Sequence, residues 1–84
     1  FVEKDPKVAK VLKANISTLK AEAGSSVHLA DAVQFTSQLP TSNSQLAVER
    51  PYTLSLADPP YATDTALRLA SIWLEHPFSD IFCL

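Results

Sequence analysis

The residues best equipped for chemistry sit in "LSLADPPYATDT", residues 54–65, where an apolar run ends on Asp58, Pro59, Pro60 and Tyr61. A single proline already stops a strand or helix, because it fixes φ at roughly −65° and removes an N–H donor. Two in a row, bracketed by a carboxylate and an aromatic ring, describe a rigid backbone built to hold something. Two further acids close short apolar segments: Glu3 in "FVEKD" and Asp31 in "ADA" at 30–32. The other reactive side chains are less organised. His28 and His76 have no partners at metal-ligand spacing and Cys83 lies within an apolar run, so no metal site is expected. "NIS" at 15–17 matches a glycosylation sequon but falls inside an expected helix and is set aside.

The elements that must position these acids follow from punctuation and period. "FVEKD" reads as a strand over about 1–5, and a helix over about 6–22 follows, with Asp5 as N-cap, Pro6 at its first position and Gly24 as the stop. Val8, Leu12, Ile16 and Leu19 form its apolar stripe, with Lys7, Lys10, Lys13 and Lys20 on the other side. "SSVHLADAVQFTSQL" fits one helix, or a strand over about 26–30 followed by a helix over about 32–39; periodicity alone does not decide. Residues 40–51 form a long polar connection, the expected mobile part. "YTLSLA" alternates as a strand over about 52–57. A helix over about 63–75 starts at capping-type Thr63 or Asp64, with Leu67, Ala70 and Leu74 on one face and Trp73, a core residue, beside them. "SDIFCL" closes with a buried strand over about 80–84. Strands alternating with helices predict an α/β fold around a parallel sheet.

Bulk properties bound the rest. Eighty-four residues, 46% of them hydrophobic, make at most one small globular domain or a piece of one. No apolar run approaches the ~20 residues that span a bilayer. A chain without Met that opens on Phe1, with no cationic leader, reads as a cut from something longer. One cysteine permits no internal disulfide, which fits a cytoplasmic location. A net charge of −2 argues against a general nucleic-acid adhesive. Lys4, Lys7, Lys10, Lys13 and Lys20 read first as a solvated face, with RNA phosphates as the alternative.

"FVEKD", "ADA" and "ADPPY" at 57–61, in this order and spacing, resemble the S-adenosylmethionine-dependent methyltransferases that modify exocyclic amino groups. The likeness is greatest to the bacterial 16S ribosomal RNA guanine-N2 methyltransferases, and it covers nearly the whole chain. It implies a Rossmann-like fold, a three-layer αβα arrangement of a mostly parallel sheet, with residues 1–84 a partial methyltransferase domain. It also resolves the ambiguous stretch as strand plus short helix. The glycine-rich loop and first strand would lie upstream of Phe1; that strand sits centrally in the family's sheet, between its second and fourth strands. "YTLSLA" departs from the resemblance, because the family's strand there is more continuously apolar, so one face is expected to be less buried.

What the resemblance implies about roles is specific. Glu3 looks like the acid that takes the ribose hydroxyls of S-adenosylmethionine, Asp31 like the acid that takes the adenine amino group, and Ala32 would join it through its backbone N–H. Asp58 and the Pro59 carbonyl would each accept one N–H of the target amine. This localises the nitrogen lone pair for direct in-line transfer without a covalent enzyme intermediate. Pro60 stiffens the corner and Tyr61 stacks on the base. The implied partner is ribosomal RNA or a small-subunit assembly intermediate; no metal and no membrane is implied, and any basic surface is expected from residues outside these 84. Each acid also has a plain structural reading: Asp58 as the cap of its own turn, Glu3 and Asp31 as helix N-terminal caps or partners of the helix dipole. Two other functions fit the same residues, N6-adenine methylation of DNA and a non-catalytic domain that has kept the sheet.

Overall fold

In a computed structural model of the chain, residues 1–39 and 50–84 are described. They divide into two compact units, Phe1–Phe35 and Thr36–Leu84. The connection expected to be mobile, residues 40–51, lies outside the described residues except for Arg50 and Pro51. Among the described residues no helix is long and apolar enough to cross a membrane.

The first unit is a strand, a helix and a second strand parallel to the first. β1 (Val2–Glu3) leads into α1 (Pro6–Thr18), and β2 (His28–Leu29) returns beside β1 with Val2 opposite His28 and Glu3 opposite Leu29. Parallel strands need a crossover of a dozen or more residues, which α1 supplies. Asp5 starts α1 as expected: its Oδ1 accepts from the Lys7 N–H at 2.8 Å and its carbonyl from the Ala9 N–H at 2.9 Å, with Pro6 at the first helical position.

The end of α1 departs from expectation. It stops at Thr18, and the left-handed residue is Lys20, at φ 54°, not Gly24. The Ala21 N–H donates to Ile16 O and the Lys20 N–H to Ser17 O, both at 3.0 Å, the paired bonds of a Schellman closure. Closing there leaves residues 21–27 for the return to β2, including a 3-10 turn at Glu22–Gly24. The buried stripe differs too: Ala9 is buried and Leu12 and Ile16 half-buried, whereas Val8 and Leu19 are exposed. At 100° per residue Val8 and Leu19 stand to one side of the Ala9–Ile16 line, so the inner face is narrower than the apolar arc of the sequence.

After β2, α2 (Ala32–Ser37) begins on Asp31 and crosses the division between the units. The second unit then repeats the strand–helix–strand plan with longer strands. β3 (Tyr52–Leu56) precedes α3 (Thr65–Glu75), and β4 (Ser79–Cys83) runs parallel to β3, pairing Tyr52 with Ser79, Leu54 with Ile81, Ser55 with Phe82 and Leu56 with Cys83. Leu69, Phe78 and Ser79 form its buried centre. Phe82 meets Phe78 edge-on at 5.3 Å and Trp73 at 6.2 Å between ring centroids, while Trp73 Nε1 donates to Ser79 O at 2.9 Å. Trp73 is thus half-buried, its one polar atom satisfied.

Three expectations for this unit need correction. The inward face of α3 carries Leu69 and Trp73, leaving Leu67 and Leu74 outside at 74% and 75% exposure. Those two leucines lie across the helix from Leu69, so the helix is apolar on two sides and only one is covered. Thr63 and Asp64 do not cap α3 with side-chain acceptors: Asp64 makes no cap bond, and Thr63 donates its hydroxyl to Pro60 O instead, which delays the helix to Thr65. The closing strand is not buried, since Ile81 and Cys83 are exposed. Register explains this: Leu54, Leu56, Ile81 and Cys83 share one sheet face, and the face bearing Ser55 and Phe82 is the more covered one. One face of β3 was expected to be less buried, and it is the leucine face.

Among the described residues the strands therefore form two separate two-stranded parallel sheets, β1 with β2 and β3 with β4.

Candidate functional site

Within the first unit, the pairing of Glu3 with Leu29 places Glu3 and Asp31 at the same end of the small sheet, the C-terminal end of both strands. That is the end where open α/β sheets bind ligands. Both carboxylates are half-buried and each commits one oxygen locally. Glu3 Oε1 accepts from the Asp5 N–H at 3.0 Å, steadying the strand-to-helix turn. Asp31 Oδ1 accepts from the Gln34 N–H at 3.0 Å while its carbonyl takes the Phe35 N–H at 2.9 Å, which makes Asp31 the N-cap of α2. The structural reading as a helix cap is therefore realised for Asp31, whereas α1 is capped by Asp5 and Glu3 only braces the residue before the helix; each acid retains one carboxylate oxygen with no partner among the described residues. Ala32 is the first residue of α2.

Within the second unit, Asp58, Pro59, Pro60 and Tyr61 follow β3 at its C-terminal end. The Ala57 N–H is still held by Cys83 O at 2.9 Å, so the last ladder bond anchors the corner one residue before Asp58. The corner's two carbonyls have different fates. Pro60 O accepts from Thr63 Oγ1 at 2.9 Å and from the Thr63 N–H at 3.3 Å, closing a turn. Among the described residues Pro59 O accepts from nothing, and neither does the Asp58 carboxylate, which is exposed. The structural reading in which Asp58 caps its own turn is not realised. Tyr61 is 102% exposed and packs on nothing.

The corner thus carries one carboxylate and one peptide carbonyl, both acceptors, and within the next two residues an exposed aromatic ring. Neither proline can offer a competing N–H. Such a set suits a group that brings two N–H donors and a flat ring. Thr63 completes it and escaped the sequence reading as a site residue: its hydroxyl commits Pro60 O and continues at 3.1 Å to Thr65 Oγ1, locking the turn that leaves Pro59 O open. The available signal was the threonine three residues after Pro60, the spacing at which a side-chain hydroxyl bonds back to a turn carbonyl. Among the described residues no group of three His, Cys, Asp or Glu side chains stands ready to hold a metal ion.

No protein-family model matches this chain, and neither a curated protein nor a solved structure shows significant similarity to it.

Proposed function

We propose that this chain is part of a Rossmann-like methyltransferase that transfers a methyl group from S-adenosylmethionine to the exocyclic N2 amine of a guanine in 16S ribosomal RNA. The observation that carries the reading is the Asp58–Tyr61 corner, where two acceptors unengaged among the described residues and a bare aromatic ring follow one another along a turn that hydrogen bonds fix from both ends. An exocyclic amine is a poor nucleophile because its lone pair is delocalised into the ring. Asp58 and Pro59 O, each accepting one N–H, draw the nitrogen towards a tetrahedral shape and localise the pair, so the corner acts by positioning and electrostatics. Tyr61 stacks on the swung-out base, a contact worth ~1–3 kcal/mol. Asp58 is also the acceptor along which the methylated nitrogen releases its surplus proton.

The methyl donor, when bound, supplies an electrophilic sulfonium methyl whose C–S bond electrons leave with sulfur as the N–C bond forms. The chain's acids fit it in part: Glu3 and Asp31 each offer one free carboxylate oxygen, enough for one ribose hydroxyl and one adenine N–H. Gly24 is the only glycine, so the glycine-rich loop of this reading comes from residues outside these 84. The strand pairing supports the same reading, because β1 pairs in parallel with β2 and β3 with β4, the pairs that would remain in a sheet deprived of its middle strand. A cytoplasmic location accompanies it.

One observation favours a second reading, a non-catalytic domain that has kept its strands: Glu3 and Asp31 already serve as local hydrogen-bond acceptors. The experiment that separates the two is methylation of small ribosomal subunits by the full-length protein, read by mass spectrometry of the released nucleosides. N2-methylguanosine that disappears with Asp58→Asn supports the enzyme. N6-methyladenosine in a DNA substrate would replace the guanine assignment, and no methylated base in either would leave the non-catalytic domain.

A further inference from the structure

Both arginines of the chain lie in the second unit with five carboxylates, while all five lysines lie in the first with four. Three of those lysines stand on α1, a helix of 13 residues without a single acid. Lys7, Lys10 and Lys13 succeed one another at i, i+3 spacing. At 100° per residue they occupy an arc of about 120°, with only Pro6, Ala14 and Ser17 between them. All three are exposed, and among the described residues no ion pair or side-chain hydrogen bond engages them.

This differs from an ordinary solvated face, where carboxylates one turn away offset each lysine. Here like charges stand one turn apart with no acid between them, an arrangement that helix stability alone disfavours. An anionic partner removes that repulsion. We infer that the Lys7–Lys10–Lys13 face of α1 docks the phosphodiester backbone of the RNA substrate. The inference rests on the reading of the chain as an RNA methyltransferase and deepens it by naming where the RNA lies. The three ammonium groups are carried along about 9 Å of helix axis on flexible stems, a span that meets successive phosphates of one strand. Ala14 and Ser17 let a sugar–phosphate strand approach closely. An anionic membrane is the poorer match. The exposed apolar residues beside the lysines, Val8, Val11 and Leu19, include no aromatic, and three lysines with two valines and a leucine make a weak interfacial anchor.

The test is fluorescence anisotropy of a labelled 20-nucleotide RNA hairpin with guanines in its loop, titrated with the protein from 50 to 200 mM salt. Substituting Lys7→Gln, Lys10→Gln and Lys13→Gln together is expected to reduce the slope of log affinity against log salt by about 2. Arg68→Gln, on the other unit, leaves it unchanged. The triple arginine replacement at the same positions keeps the wild-type slope, which separates lost charge from lost helix. An unchanged slope in the glutamine variant, no binding of the hairpin at all, or preferential binding to phosphatidylserine vesicles each overturns the inference. Calorimetric titration with S-adenosylmethionine distinguishes it from the reading beneath it. Loss of the RNA slope with donor binding intact supports the docking face, whereas a protein that binds RNA through these lysines but never binds the donor keeps the face and removes the enzyme.

Discussion

The two units share one plan, strand–helix–parallel strand, and hold it by different means. In the first, strands of two residues are secured by backbone and cap bonds: Asp5 at the start of α1, the Schellman closure at its end, Asp31 at the start of α2, with Ala9 alone fully buried. In the second, strands of five residues are joined by side-chain burial around Leu69, Phe78, Ser79 and the Trp73–Phe82 ring contact. The acids differ in the same way. The first unit spends carboxylate oxygens on its own turns, whereas the second leaves Asp58 unspent on a corner already fixed by proline and Thr63. Where a fold needs a carboxylate, function has to share it; where it does not, the carboxylate is free to act.

The largest effect should come from breaking the second unit's core. Phe78→Ala removes a 3% exposed ring that abuts Phe82 and is expected to cost about 3–5 kcal/mol. That is a large share of the ~4–12 kcal/mol typical of a chain this size. Denaturant melts would report it, and hydrogen exchange should show the β3 and β4 amides losing protection first. Equal early loss at β1 and β2 would mean that the two units do not differ in what holds them.

Asp58→Asn sharpens the other half of the contrast. It keeps the shape and abolishes the charge of a group with no partner among the described residues, so stability should move by no more than about 0.5 kcal/mol. On the proposed reading as a methyltransferase, methyl transfer should fall roughly 10²–10³-fold, as for removal of one preorganised electrostatic contact. A variant that loses stability instead would show Asp58 to be a turn cap after all. Asp31→Ala should behave in the opposite sense, destabilising by about 1 kcal/mol through loss of the Gln34 N–H bond. Circular dichroism with thermal melts checks it, and an unchanged melting temperature would mean the cap contributes nothing.

The elements were legible because their punctuation is local. Asp5 with Pro6 announces the start of α1, alternation announces β3, and the acid and two prolines after it announce the corner. What sequence could not supply was orientation. Leu54 and Leu56 alternate with Thr53 and Ser55 as a half-buried strand should, yet at 53% and 74% exposure the leucines face outward. Alternation identifies two faces without saying which one a neighbour will cover, and α3 meets the aromatic ring of Phe82 on the other side. The same limit applies to α1 and α3, where an apolar arc wider than its covered stripe made Val8, Leu19, Leu67 and Leu74 look internal. Exposed leucines on both sheet and helix are surface that burial against further protein would stabilise. At the site, residue types announced the acceptors, but only the hydrogen bonds separate committed oxygens, as at Asp31 and Pro60, from open ones at Asp58 and Pro59.

The smallest effect tests how the first unit is closed. A left-handed backbone costs a residue with a Cβ about 1–2 kcal/mol, and Lys20 bears that cost at φ 54°. Glycine would adopt the same conformation freely while losing more entropy on folding, so Lys20→Gly should stabilise by about 0.5–1 kcal/mol net. In a chain of this length that raises the melting temperature by a few degrees. Gly24 provides the matching control. Its φ is not positive and a Cβ built there meets nothing within 4 Å, so Gly24→Ala should be neutral to slightly stabilising. If Gly24→Ala destabilised and Lys20→Gly did not help, the helix stop would belong to the glycine, and the closure of the first unit would rest on composition instead of on the bonds from Lys20 and Ala21.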